Sequence, residues 1–169
     1  MSYDLEAQCM KTAKAVQDKF SKLGISIATA ESCTGGLIAT YMTAHSGSSC
    51  FFEGGVVPYS NQAKVDSLFV NPESIEKNGA VSEQVCREMV IGCLKRFHSG
   101  LAIATTGIAG PTGATPGKPV GTVFVGVGDA ATVVVKRLQL EGDRHIIRGQ
   151  TTLHVLEWLN QWNALSRER

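Results

Sequence analysis

The chain has 169 residues, 43% hydrophobic and 18% charged, which excludes an intrinsically disordered protein and suits one domain with its own core. Lys+Arg 16 against Asp+Glu 15 leaves a formal net charge of +1, no footprint for nucleic acid, although a small phosphorylated ligand needs only a few local donors. Five cysteines without a C-x-x-C pair and a charged N-terminal stretch point to a reducing cytoplasm, and no apolar run approaches the ~20 residues of a membrane span.

In chain order, Leu5, Cys9, Ala13, Val16 and Phe20 recur at helical spacing, so residues 3–22 are expected to form an amphipathic helix ending before Gly24. "ISIATA" (25–30) is a strand candidate, and "GGLIATYMTAHSG" (35–47) reads as the helix after it. "FFEGGVVPYS" (51–60) reads as a second strand, with Pro58 placing its end at an edge or exit. "NQAKVDSLFV" (61–70) is expected to be a short helix with Asn61 as its N-cap. "SEQVCREMVIGCLKRF" (82–97) is the clearest helix, capped by Ser82, with Val85, Met89, Ile91, Cys93 and Leu94 forming its apolar side. "LAIATTGIAGP" (101–111) is a buried strand opening into a glycine loop. "GTVFVGVGD" and "ATVVVKRLQL" read as a hairpin turning at Gly128-Asp129, and a final helix runs from about Asp143 to Trp162. Helix and strand alternate before two strands pair by hairpin. This predicts an α/β domain over residues 1–169, with a mixed sheet covered by helices on both faces.

Four stretches hold residue types that carry chemistry. "ESCTGG" (31–36) stands at a strand-to-helix junction, where free backbone N–H groups suit a phosphate; equally, Ser32 or Thr34 caps the helix and Gly35 and Gly36 relieve crowding. It is neither a Walker A loop nor G-x-G-x-x-G. "GSSCFFEGGVVPYSNQAK" (47–64) gathers Ser48, Ser49, Tyr59, Ser60, Asn61 and Lys64: a serine with a lysine base, or a solvated lysine and an ordinary sheet tyrosine. Thr105, Thr106, Gly107 and Gly110 follow a buried strand, where open α/β sheets place their ligand crevice. The loop 110–121, with four glycines and three prolines, is long enough to be functional, and Lys118 in it is a phosphate partner or a plain loop charge. Arg144 and Arg148 share one face of the last helix, to bind phosphate or to pair with acids. His45, His98, His145 and His154 show no metal-ligand spacing, so neither a metal site nor a cofactor is expected.

"TAESCTGGLIA", "GSS", "YSNQAK", "GAVSE", "TGIAGPTG", "KPVGTV" and "GDR" occur in an order and spacing that resembles the CinA C-terminal domain family, from roughly Ser21 to Leu159. The resemblance implies a three-layer α/β/α sandwich with a mixed sheet. It implies a metal-independent serine amidase that converts nicotinamide mononucleotide to nicotinate mononucleotide and ammonia, in pyridine nucleotide salvage. The nucleotide pyrophosphatase domain of the larger family members should be absent, because only about 20 residues precede the match. The family's lysine and tyrosine fall on Lys64 and Tyr59, and its serine on Ser49 or Ser32, with Ser49 the first choice as nucleophile. Substrate contacts are expected from Ser48, Thr34, Gly35, Gly36, Asn61, Thr106, Gly107, Gly110 and Arg144. Pro58 replaces the usual Thr before the tyrosine, and Ala114 a usual Gly, and neither removes a catalytic group. The expected partner is a small nucleotide, with no nucleic acid and no membrane; exposed helices around a small sheet would suit a homodimer. The competing reading is a non-catalytic nucleotide- or partner-binding module that keeps the pocket, and a third is a hydrolase of another amide.

Overall fold

The computed structural model describes residues 3–162. Strands β1 (Ile27–Glu31), β2 (Phe52–Val56), β3 (Leu101–Gly107), β4 (Thr122–Gly128) and β5 (Val133–Gln139) form one sheet in the order β2-β1-β3-β4-β5. β1 runs parallel to β2 and β3, while β4 and β5 join antiparallel, the latter through the expected hairpin. Asp129 shapes that turn, its Oδ1 accepting the amides of Ala131 and Thr132. β1 is buried throughout and β3 up to its last residue, which explains their continuous small and apolar sequences; edge strand β5 alternates between sheltered and exposed residues.

Helices α1 (Tyr3–Leu23), α2 (Leu37–Met42) and α6 (Arg144–Gln161) cover one face, around Phe20, Ile38, Ile103 and Leu156. Helices α3 (Asn61–Leu68), α4 (Pro72–Asn78) and α5 (Glu83–Phe97) cover the other, around Leu68, Met89 and Val90. The architecture is the expected α/β/α sandwich. Full burial of each large apolar side chain contributes roughly 1.5–3 kcal/mol, so both layers hold to the sheet without a staple. Gly92 lets the end of α3 lie directly on α5: a Cβ at that position would collide with the Leu68 carbonyl.

Three local expectations change. The helix predicted over 35–47 is only six residues: Gly35 (φ 62°) and Gly36 (φ 92°) keep the chain left-handed until Leu37, and the helix ends at Met42. Ser60, not Asn61, caps α3, accepting the Ala63 amide at 3.0 Å. α4 went unassigned in the sequence, although Asn71 accepts the Glu73 amide as its cap and Pro72 opens it.

After β1 the chain crosses one face through α2 to β2. It returns over the other face through α3, α4 and α5 to β3, on the far side of β1. The chain leaves β1 toward β2 and leaves β3 toward β4, in opposite directions along the sheet, and an open α/β sheet has its crevice at the carboxyl ends of two such neighbouring strands.

Candidate active site

Glu31 is the last residue of β1 and is 1% exposed. A buried carboxylate needs strong compensation, and the three amides at the start of α2 supply it. Oε2 accepts Gly36 N–H at 3.1 Å and Ile38 N–H at 3.0 Å, and Oε1 accepts Ala39 N–H at 2.8 Å. The glycine-rich turn is therefore closed by its own glutamate. Its other wall is pinned too: the Ser32 amide donates to the Thr105 carbonyl at 2.9 Å, and the Thr34 and Thr105 hydroxyls meet at 2.8 Å. Arg148 donates to the Thr34 carbonyl through Nε (3.2 Å) and Nη2 (2.7 Å).

Lys64, on α3, is 2% exposed. Its Nζ lies 3.1 Å from Ser32 Oγ and donates to the carbonyls of Pro58 (3.0 Å) and Tyr59 (3.4 Å). Among the described residues no acid pairs with it. Burial holds the ammonium below the ordinary lysine range, with the Cys33 thiol pulling weakly the other way. That opposing pull is absent while Cys33 is a neutral thiol, and burial pushes the Cys33 pKa up to about 12. Cys33 is thus an inert neighbour, and Ser32 is the hydroxyl placed against the amine.

Both residues open into a cavity of about 230 Å³, walled by Ala80, Val81, Thr106, Gly107 and Ala109 and bordered by Tyr59, Asn61 and Arg144. Tyr59 is 60% exposed, and its hydroxyl accepts from Arg144 Nη2 at 2.7 Å instead of contacting Lys64. Arg144 Nη1 donates to the Gly110 carbonyl at 3.0 Å, which ties the long loop to α6. Thr106 donates to the Ala80 carbonyl at 2.8 Å, so its hydroxyl fixes the wall. Lys118 steadies the same segment from outside, donating to the Asn78 carbonyl.

The structure brings together Ser32, Lys64, Tyr59, Asn61, Thr106, Gly107 and Arg144. It does not bring Ser48 or Ser49. They form a short 3-10 turn, Ser48–Cys50, before β2, whereas Ser32 follows the end of β1. Because β1 and β2 run parallel, the two serines face opposite ends of the sheet, separated by the five-residue β1 at ~3.3 Å per residue. The expectation of Ser49 beside Lys64 is corrected to Ser32. Thr34, Gly35 and Gly36 lie behind Ser32 and do not line the cavity: the Thr34 hydroxyl is bonded to Thr105 and the Gly36 amide to Glu31. Gly110 presents its carbonyl to Arg144, outside the lining. Glu31 and the clamping role of Arg148 went unread. The signal for Glu31 was an acid directly ending an apolar strand, five residues before Gly36.

The chain matches the CinA C-terminal domain over residues 10–162. A CinA-like protein of Citrifermentans bemidjiense is 46% identical over 139 residues, 82% of this chain and 34% of that protein. A CinA-like protein of Chlorobaculum tepidum is 53% identical over 127 residues, 72% of this chain and 30% of that protein. The chain thus spans about a third of the length of these relatives. The crystal structure of the competence/damage inducible protein CihA from Agrobacterium tumefaciens superposes with a TM-score of 0.87 at 39% identity, covering 90% of this chain and 93% of that one.

Proposed function

The chain belongs to the CinA C-terminal domain family, and from that premise we propose that it is a nicotinamide-nucleotide amidase in which Ser32 attacks the carboxamide and Lys64 is the base. The observation that carries the reading is the buried Lys64 Nζ, 3.1 Å from Ser32 Oγ with no acid among the described residues to hold its charge. An amide is a poor electrophile, so attack needs a deprotonated hydroxyl and a stabilised oxyanion. A neutral amine has two N–H bonds and one lone pair. With the Pro58 and Tyr59 carbonyls taking the N–H bonds, the lone pair faces Ser32 Oγ. Lys64 takes the serine proton on attack and returns it to the departing ammonia. Water then releases nicotinate mononucleotide from the acyl-serine by the same route.

The amides of Gly36, Ile38 and Ala39 belong to Glu31 and that of Ser32 to Thr105, so the oxyanion falls to the amide of Cys33, the remaining residue of the turn that lines the cavity. Arg144, with the Tyr59 hydroxyl beside it, is the cation at the cavity mouth and takes the substrate's phosphate; Arg148 is committed to the Thr34 carbonyl. The pyridinium ring of the substrate carries a positive charge, which further favours neutral Lys64. A non-catalytic binding module would have no use for a buried hydroxyl–amine pair.

The deciding experiment measures ammonia from purified protein with nicotinamide mononucleotide, alongside Ser32→Ala, Lys64→Ala and Ser49→Ala, with and without a chelator. Release that survives the chelator and Ser49→Ala but not the other two substitutions supports the reading. No ammonia from the unsubstituted protein overturns it.

A further inference from the structure

Glu31 is a buried carboxylate beside this site that the chemistry above does not use. Glu31 has no cationic partner among the described residues, and seating a carboxylate at 1% exposure in that way costs several kcal/mol unless its hydrogen bonds are complete. α2 is only six residues long, and a neutral serine or asparagine would cap it at far smaller cost. Glutamate does something such a cap does not. Its side chain begins on the residue before Ser32 and ends on the amides of Gly36, Ile38 and Ala39, spanning the whole turn that carries the serine. Gly36, the N-cap residue of α2, is left-handed and supplies no side chain of its own to hold the turn closed.

We propose that Glu31 is a positioning residue for Ser32: its carboxylate closes the 31–39 turn and fixes the serine hydroxyl at hydrogen-bond distance from Lys64. The proposal rests on Ser32 being the nucleophile. Thr105 holds the Ser32 backbone from one side, Arg148 holds Thr34 from another, and Glu31 sets the distance between the two ends of the turn. Displacement of a reacting group by about 1 Å is worth on the order of 10²-fold in rate, so loosening this closure acts on the chemical step. It leaves substrate binding in place, because Glu31 does not line the cavity.

The test uses the full chain with Glu31→Gln, which keeps the shape but turns an N–H donor toward amides that need an acceptor, and Glu31→Asp, which keeps the charge but shortens the reach. Two readouts are taken: kcat and KM for nicotinamide mononucleotide, and the rate at which a fluorophosphonate probe labels Ser32. Expected in Glu31→Gln is a fall of about tenfold or more in both kcat and labelling rate, with KM within about twofold. Glu31→Asp, should Glu31→Gln fail to fold by circular dichroism, is expected to show the same pattern. A labelling rate within about twofold of the unsubstituted chain overturns the proposal, as does a rise in KM at unchanged kcat. If the unsubstituted chain hydrolyses no nicotinamide mononucleotide yet labelling of Ser32 still depends on Glu31, the substrate assignment falls and the positioning role stands.

Discussion

Ser32 to Gly36 and Gly47 to Cys50 are written in nearly the same letters: serine beside cysteine, with glycine at positive φ, at the two ends of the paired strands β1 and β2. The first turn is sheltered at Ser32 and Cys33, closed by a carboxylate and set against an amine. The second stands open, with Ser49 and Cys50 exposed. Residue type does not separate them. A serine becomes a candidate nucleophile when the chain delivers a desolvated base to it, and only the carboxyl end of the sheet receives Lys64.

That contrast can be broken most directly through the hydroxyls. Ser32→Ala or Lys64→Met is expected to lower kcat/KM on the order of 10³-fold or more, and Ser49→Ala to stay within about twofold, by steady-state ammonia release. The reverse outcome would return the chemistry to the open turn. The thiols give the next largest effect. Cys50 is expected to be alkylated by iodoacetamide at neutral pH at least about 100-fold faster than Cys33, whose pKa of about 12 keeps thiolate scarce, as read by peptide mass spectrometry. Replacing Arg144 with Ala should raise KM by about tenfold or more with little change in kcat, because it removes the cation proposed to hold the phosphate at the cavity mouth.

The smallest effects are on pH. The proposed mechanism needs neutral Lys64, so kcat/KM should rise through an ionisation below the ~10.4 of a free lysine. Stability carries the same signature. The folded pKa of Lys64 is depressed, so between it and the unfolded value the unfolded chain binds more protons, and stability rises with pH across that window. Urea denaturation should therefore show the unsubstituted chain gaining on Lys64→Met as the pH rises toward the ~10.4 of a free lysine. A pH-independent difference would mean that Lys64 is not desolvated as the fold places it.

Strand and helix order was legible because periodicity and capping residues are local: Ser82 accepts from the Val85 amide where a cap was expected, and Gly128-Asp129 turns the hairpin. The pairing of Lys64 with Ser32 was not. Fifteen residues separate Ser49 from Lys64 and thirty-two separate Ser32, so nearness along the chain pointed to a serine that the fold places away from the lysine. Only the parallel register of β1 and β2 shows that Lys64 lies past one end of the sheet and Ser49 before the other. Glu31 escaped notice because its partners are backbone amides, which no pattern of side chains advertises. Ile91 was read as inward, but it faces out from α5.

The missing side chain at Gly92 reaches further than its own helix. Because α3 rests on α5 at that point, the gap between the amine and the serine is gauged from a residue that touches neither. Enlarging it by one methyl would force α3 and α5 apart at Leu68, one helical turn from Lys64. The spacing of Lys64 from Ser32 is thus a tolerance machined into the back of the molecule, and a survey of changes confined to the cavity wall would pass it by.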